Sequence, residues 1–167
     1  MTPEEAFDLH HRAVFTFVYR LTRKADIAED VTQDCFLAYV RAPERFDAER
    51  GASLKTYLIA IARNLALKHI RDYGREDQID EDAVTISAAS GKALDIATAV
   101  ESAVATLAPL QQEALVLFEY EGFTLEEIAA MVGADAGTVK SRLHRARERL
   151  RQILAPLERV GDLHGKP

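Results

Sequence analysis

The stretch Thr124 to Leu154 constrains the fold more than any other, because it reads as two helices with a tight turn between them. The first predicted helix opens at Thr124. Its hydroxyl can cap free backbone N–H groups, and Glu127 stands three residues on, as a capping box requires. Leu125, Ile128, Ala129 and Val132 then form an apolar stripe, and Gly133 is a natural stop. Asp135 can cap a second helix. On it Val139, Leu143, Ala146, Leu150 and Ile153 recur at steps of three and four, which defines one buried face. Lys140, Ser141, His144, Arg145 and Glu148 lie on the opposite face. Between Ala136 and Leu154 stand six Lys or Arg against one acid, in a chain whose formal net charge is −6. Two short helices, a turn and a basic second helix fit a helix-turn-helix, whose second helix enters a major groove. The plainer reading is a helical hairpin with a solvated basic face. The cations favour DNA because they occupy the side that the apolar stripe leaves free.

Composition bounds the remainder. A hydrophobic fraction of 48% over 167 residues suffices for a packed core, in one domain or two small ones. No Trp and few Gly or Pro point to helices rather than sheet. The one cysteine, Cys35, excludes an internal disulfide and a multi-Cys zinc site, and its apolar neighbours suggest a core position. No apolar run approaches the length of a membrane span, and the N-terminus lacks the order of a signal peptide. A cytoplasmic protein without membrane insertion is expected. The acidity is concentrated in residues 76–95, with one basic and six acidic groups.

Taken in order, Pro3 to Lys24 reads as a helix, with Glu4 and Glu5 at the positive end of its dipole. Its apolar face comprises Phe7, Val14, Phe15, Phe17, Val18 and Leu21. A second helix, capped by Asp26 and running to Arg41, turns Ile27, Val31, Cys35, Ala38 and Tyr39 inward. The carboxylates of Asp26, Glu29, Asp30 and Asp34 read as a solvated acidic face, since no second ligand set supports a metal site. Pro43 to Ala52 is a loop. Ser53 can cap a third helix to Tyr73, with Leu54, Tyr57, Leu58, Ile61, Leu65 and Ile70 as its core stripe and Arg63, Asn64 and Lys68 on its polar side. Residues 76–95 are small, polar and acidic and read as a flexible linker between two domains. The helical pattern resumes near Asp95. Pro109 opens a helix that Gly122 ends, and residues 157–167 read as a frayed tail. The expected fold class is all-α: a three-helix domain at 1–75, the linker, and a helix-turn-helix domain at 96–156.

Two separate stretches resemble one family. Ala28 to Phe36 is similar to the polymerase-binding helix of bacterial sigma factors of the extracytoplasmic-function (ECF) group, and Leu58 to Ala66 to their promoter-melting helix. Glu121 to Ala129, followed by Gly137 to Arg142 and Arg145 to Arg147, closely resembles their region-4 helix-turn-helix. Tyr57 stands where the family usually has Trp, and Cys35 where it usually has an acidic or small residue.

The resemblance implies a non-enzymatic specificity factor with no cofactor. Its partners would be core RNA polymerase (the β′ clamp helices and the β flap), promoter DNA and an anti-sigma factor. Lys140, Ser141, His144 and Arg145 would reach the bases of the −35 element and Arg142, Arg147 and Arg149 its phosphates, with Thr138 in the same interface. Arg63, Asn64 and Lys68 would meet the −10 strand, with the loop Phe46 to Ser53 holding a flipped-out base. Asp30, Gln33, Asp34 and Phe36 would meet polymerase. The rival is a one-component helix-turn-helix regulator with residues 1–75 as a sensor or dimerisation domain. An enzyme is disfavoured because no Ser/His/Asp order, Gly-rich phosphate loop or paired metal-ligand motif is present. A polymerase-binding decoy is disfavoured by the basic recognition face.

Limited proteolysis should cut first within residues 76–95 and release two folded fragments, given the composition there. First cuts inside 1–75 or 109–150 would break the two-domain reading.

Overall fold

The computed structural model describes the backbone of residues 1–73 and 93–164, and the side chains of residues 1–72 and 96–156. It divides into two compact units, Met1–Gln78 and Ile79–Pro167. All regular structure among the described residues is helical. The boundary falls at the start of the expected linker. Residues 76–92 of that linker lie outside the described residues, and its last three belong to the helix that begins at Ala93.

The first unit packs three helices on one another: α1 (Pro3–Thr22), α2 (Ala25–Arg41) and α3 (Leu54–Tyr73). Thr2 caps α1 in a reciprocal box with Glu5, so Glu5 does more than face the dipole. The helix ends at Arg23, which is left-handed at φ 57°, donates its N–H to Tyr19 O at 2.7 Å and lays its guanidinium over the Tyr19 ring. That reversal starts α2 within two residues. Asp26, expected as its cap, therefore sits inside the first turn, and the N-cap residue Lys24 makes no side-chain capping bond.

The core of this unit joins Ala6, Val14, Phe17 and Val18 to Ala28, Val31, Cys35 and Tyr39, and to Leu58, Ile59, Ala62 and Ala66. Two expected stripes need rotating. On α3 only Leu58 of the expected set is fully buried, while Ile70 is 40% exposed and Tyr57 half-buried. Ala62 and Ala66 are small enough to let the helices approach closely, so the buried line follows the alanines rather than the bulkier Ile61 and Leu65. On α2, Ala38 is exposed while Thr32 and Phe36 are buried. Thr32 satisfies its hydroxyl by donating to Ala28 O at 2.6 Å. Cys35 donates to Leu58 O at 3.2 Å, and burial pushes its thiol up to about 12. It is a core residue, as expected.

Between α2 and α3 run two 3-10 turns, Pro43–Arg45 and Ala48–Arg50. Asp47 caps the second, and Ser53 accepts the Thr56 N–H at 3.1 Å to cap α3. Phe46 lies between the turns, its ring 5.3 Å from that of Tyr57.

The second unit gathers α4 (Ala93–Ala105), α5 (Pro109–Leu115) and α6 (Leu125–Val132) around a long α7 (Ala136–His164). Pro109 takes the first turn of α5, as expected, but α5 widens into a π turn at Val116–Tyr120. Ala103, Val104, Leu107, Ala114 to Leu117, Phe123, Ile128, Ala129, Val139, Leu143 and Ala146 make the core. The helix expected to stop near Leu154 continues to His164. Pro156 is accommodated inside it, removing one N–H without ending the helix, so backbone expected as tail at 157–164 is helical.

The turn before α7 is closely determined. Thr124 and Glu127 form the expected capping box on α6. Gly133 closes that helix at φ 70°, a left-handed position that favours glycine. Asp135 then caps α7, accepting the Thr138 N–H at 2.7 Å. A Cβ on Gly137 would stand 3.2 Å from that same carboxylate oxygen, so glycine leaves room for the cap. The Thr138 backbone N–H, above all, holds the Asp135 carboxyl below its ordinary 3.8. A depressed carboxyl stabilises the fold above the unfolded-state value, and the contribution disappears as pH falls through the folded-state value. Asp135→Ala should therefore lower the thermal midpoint at neutral pH, and the gap to wild type should close in acid below 3.8. A gap that persists unchanged there would remove the carboxylate from this role.

Candidate nucleic-acid interface

On α7 the step of about 100° per residue separates a buried line from a basic one. Val139, Leu143 and Ala146 are buried, whereas Lys140, Ser141, His144, Arg145, Arg147 and Arg149 are exposed and Thr138 and Arg142 half-buried. Thr138, Ser141, Arg142 and Arg145 line one cleft of about 730 Å³ with Asp135, Gly137 and the segment Ala108 to Gln111 at the start of α5. The expected division into base-reading and phosphate-holding sets thus changes at Arg142, which shares its cleft with Ser141 and Arg145. Lys140 and His144 lie around the helix from this cleft, on its other exposed flank. Asp135 adds one exposed carboxylate to the cleft wall, accepting from the Thr138 N–H and attracted by Arg142.

Arg147 departs further from expectation. Its Nη2 donates to Glu119 Oε1 at 2.6 Å, and its guanidinium lies 5.4 Å from the centre of the Phe118 ring. A group expected to be free for phosphate is engaged by the π turn of α5. Arg149 remains on the surface, donating to Gln152 at 3.4 Å.

In the first unit, Asn64 and Lys68 are exposed on α3, and Arg63 donates to the Asn64 side-chain oxygen at 3.2 Å. Helical spacing puts Tyr57 on the same outward line as Asn64 and Lys68. The structure pairs the ring of Phe46, already in the expected set, with that of Tyr57, which it takes out of the core stripe. Ser53 serves the start of α3, its hydroxyl held by Thr56. The polarity of the line Tyr57, Asn64, Lys68 was legible, but the bulk of Tyr57 concealed its orientation.

On α2, Asp30, Gln33 and Asp34 are exposed on one side. Phe36 is 6% exposed and meets Phe7 edge-on, with ring centres 5.0 Å apart. Unlike Asp30, Gln33 and Asp34, with which it was expected to meet polymerase, Phe36 has its ring in the core of this unit. Leu37, 48% exposed between these polar residues, adds an apolar side chain to the acidic face. No helix among the described residues is long and apolar enough to cross a membrane.

Residues 6–76 match the family model for sigma-70 region 2, and residues 97–150 the model for sigma-70 region 4. The chain is 33% identical over 159 residues to RNA polymerase sigma factor CarQ of Myxococcus xanthus, covering 93% of this chain and 90% of that protein. It is 32% identical to the ECF RNA polymerase sigma factor SigE of Mycolicibacterium smegmatis, over 91% of this chain and 61% of SigE. The sigma factor RpoE of Bartonella quintana, solved in complex with the anti-sigma factor NepR, superposes with a TM-score of 0.73 at 33% identity, over 91% of this chain and 96% of that one. Arranged as region 2 followed by region 4, and similar along nearly its whole length to these proteins, the chain belongs to the sigma-70 family of RNA polymerase sigma factors, in its ECF group.

Proposed function

We propose that this chain directs core RNA polymerase to specific promoters in the cytoplasm and assists strand opening there, under the control of an anti-sigma partner. The observation that carries the reading is the cleft on α7, where Thr138, Ser141, Arg142 and Arg145 gather hydroxyls and guanidinium groups on one exposed flank. Guanidinium groups there can take guanine edges bidentately or hold phosphate. Lys140 and His144 extend the same readout around the helix. In the first unit, the Phe46–Tyr57 rings and the polar line Asn64, Lys68 suit an opened −10 strand, since unstacked bases settle on aromatic faces and amides read their edges. The acidic face of α2, with Asp30, Gln33, Asp34 and exposed Leu37, suits a basic surface of the polymerase clamp. Likeness to a sigma factor crystallised with its anti-sigma factor supports the proposed control.

Asp30→Arg tests the polymerase contact. An exposed substitution changes stability by within about 0.5 kcal/mol, so the helical fold should survive. In a pull-down with purified core polymerase, the variant should lose capture while its circular dichroism matches wild type. Wild-type capture would remove this face of α2 from the proposed contact.

A further inference from the structure

We propose that Arg147 is a positioning residue of α7: held by Glu119 and Phe118, it sets the rotation of that helix about its own axis and so decides which side chains face the −35 bases. This rests on the reading of α7 given under Proposed function.

Three observations converge on the contact. The ion pair, at 2.6 Å, spans 28 residues of sequence and ties α7 to the end of α5. Phe118, the neighbour of Glu119, stacks on the same guanidinium at 5.4 Å. Both partners belong to the π turn Val116–Tyr120, closed by the Glu121 N–H donating to Val116 O at 3.1 Å. Turns of this kind are rare and gather at functional positions. Here six successive residues, Gln112 to Leu117, are buried, and the next two are presented to Arg147.

Arg147 stands about 80° around the helix from the centre of the buried stripe at Val139, on the border between core and basic face. A tether at that border resists rotation better than one at the centre of either face. A rotation of about 20° would move a side-chain tip roughly 2 Å at the radius of a helix. That displacement breaks a hydrogen bond to a base edge. The Arg147 and Glu119 side chains keep 44% and 47% of their exposure, and ion pairs this open contribute little to stability. The buried line Val139, Leu143 and Ala146 sets the coarse orientation of α7, and the pair trims it within the small angle that a base contact tolerates.

The test uses the full chain bound to core polymerase and a duplex library randomised at the −35 element, followed by salt titrations on the selected and on a scrambled sequence. Glu119→Gln should lower the preference for the selected sequence roughly tenfold, the loss of about one good base contact. Binding to the scrambled sequence should change little. Arg147→Glu should lose selectivity, and the exchange Glu119→Arg with Arg147→Glu should recover it at unchanged net charge. If Arg147 instead holds a phosphate, Glu119→Gln will select like wild type or bind every sequence more tightly. Arg147→Ala will then weaken all sequences equally and reduce the salt slope by about 0.9. That pattern would overturn the assignment. Should Arg147→Ala lose its helical circular dichroism, Glu119→Gln and the exchange decide alone. A wild-type holoenzyme that selects no sequence would instead fail the reading of α7 itself.

Discussion

The helix-turn-helix depends on how Asp135 is used. It is the one acid lining the cleft that Arg142 and Arg145 make basic. Its charge is directed onto the Thr138 N–H, which it accepts at 2.7 Å, with Gly137 adding a second backbone donor. The same bond starts α7 and fixes where its first turn begins. Gly133 ends α6 in the left-handed region, and Gly137 lacks the Cβ that would crowd the capping oxygen. A basic helix so begun shows its cations to solvent because Val139, Leu143 and Ala146 are committed to the core.

Much of this was legible because local chemistry is repetitive. The box of Thr124 and Glu127, the stop at Gly133 and the cap at Asp135 need only residue types at fixed spacing, and each forms. Pro109 marked its helix for the same reason. What escaped depends on packing. The sequence favours Ile61 and Leu65 over Ala62 and Ala66 as core, since bulk is visible and close approach is not. Asp26 was displaced from its cap by Arg23, whose left-handed conformation no propensity suggests. Continuation through Pro156 and the π turn after α5 are likewise decided by surroundings. For the interface, the basic face of α7 followed from charge and period. The engagement of Arg147 by Glu119 joins positions 28 residues apart and could not be read from either. Phe36 is buried and Tyr57 only half-buried for the same reason: spacing gives a face, and neighbours decide how far the face is covered.

The charge distribution fits a factor that works through a larger machine. A local excess of cations on α7 sits in a chain of net charge −6, with acids concentrated in residues 76–95. Phosphate contacts draw on the local charge, while at longer range the net field opposes DNA over a Debye length of about 8 Å in physiological salt. On the proposed mechanism, polymerase holds region 2 and region 4 on one promoter, and two weak contacts become one linked event. A free chain with both basic surfaces available would otherwise spend its time on non-specific DNA.

Gel-shift titration of promoter DNA at physiological salt, with and without core polymerase, tests that central claim most directly. The account predicts weak, sequence-indifferent binding by the isolated chain and promoter-specific binding once core is added. Tight, sequence-specific binding by the chain alone, unchanged by core, would contradict it and identify a self-sufficient DNA-binding regulator.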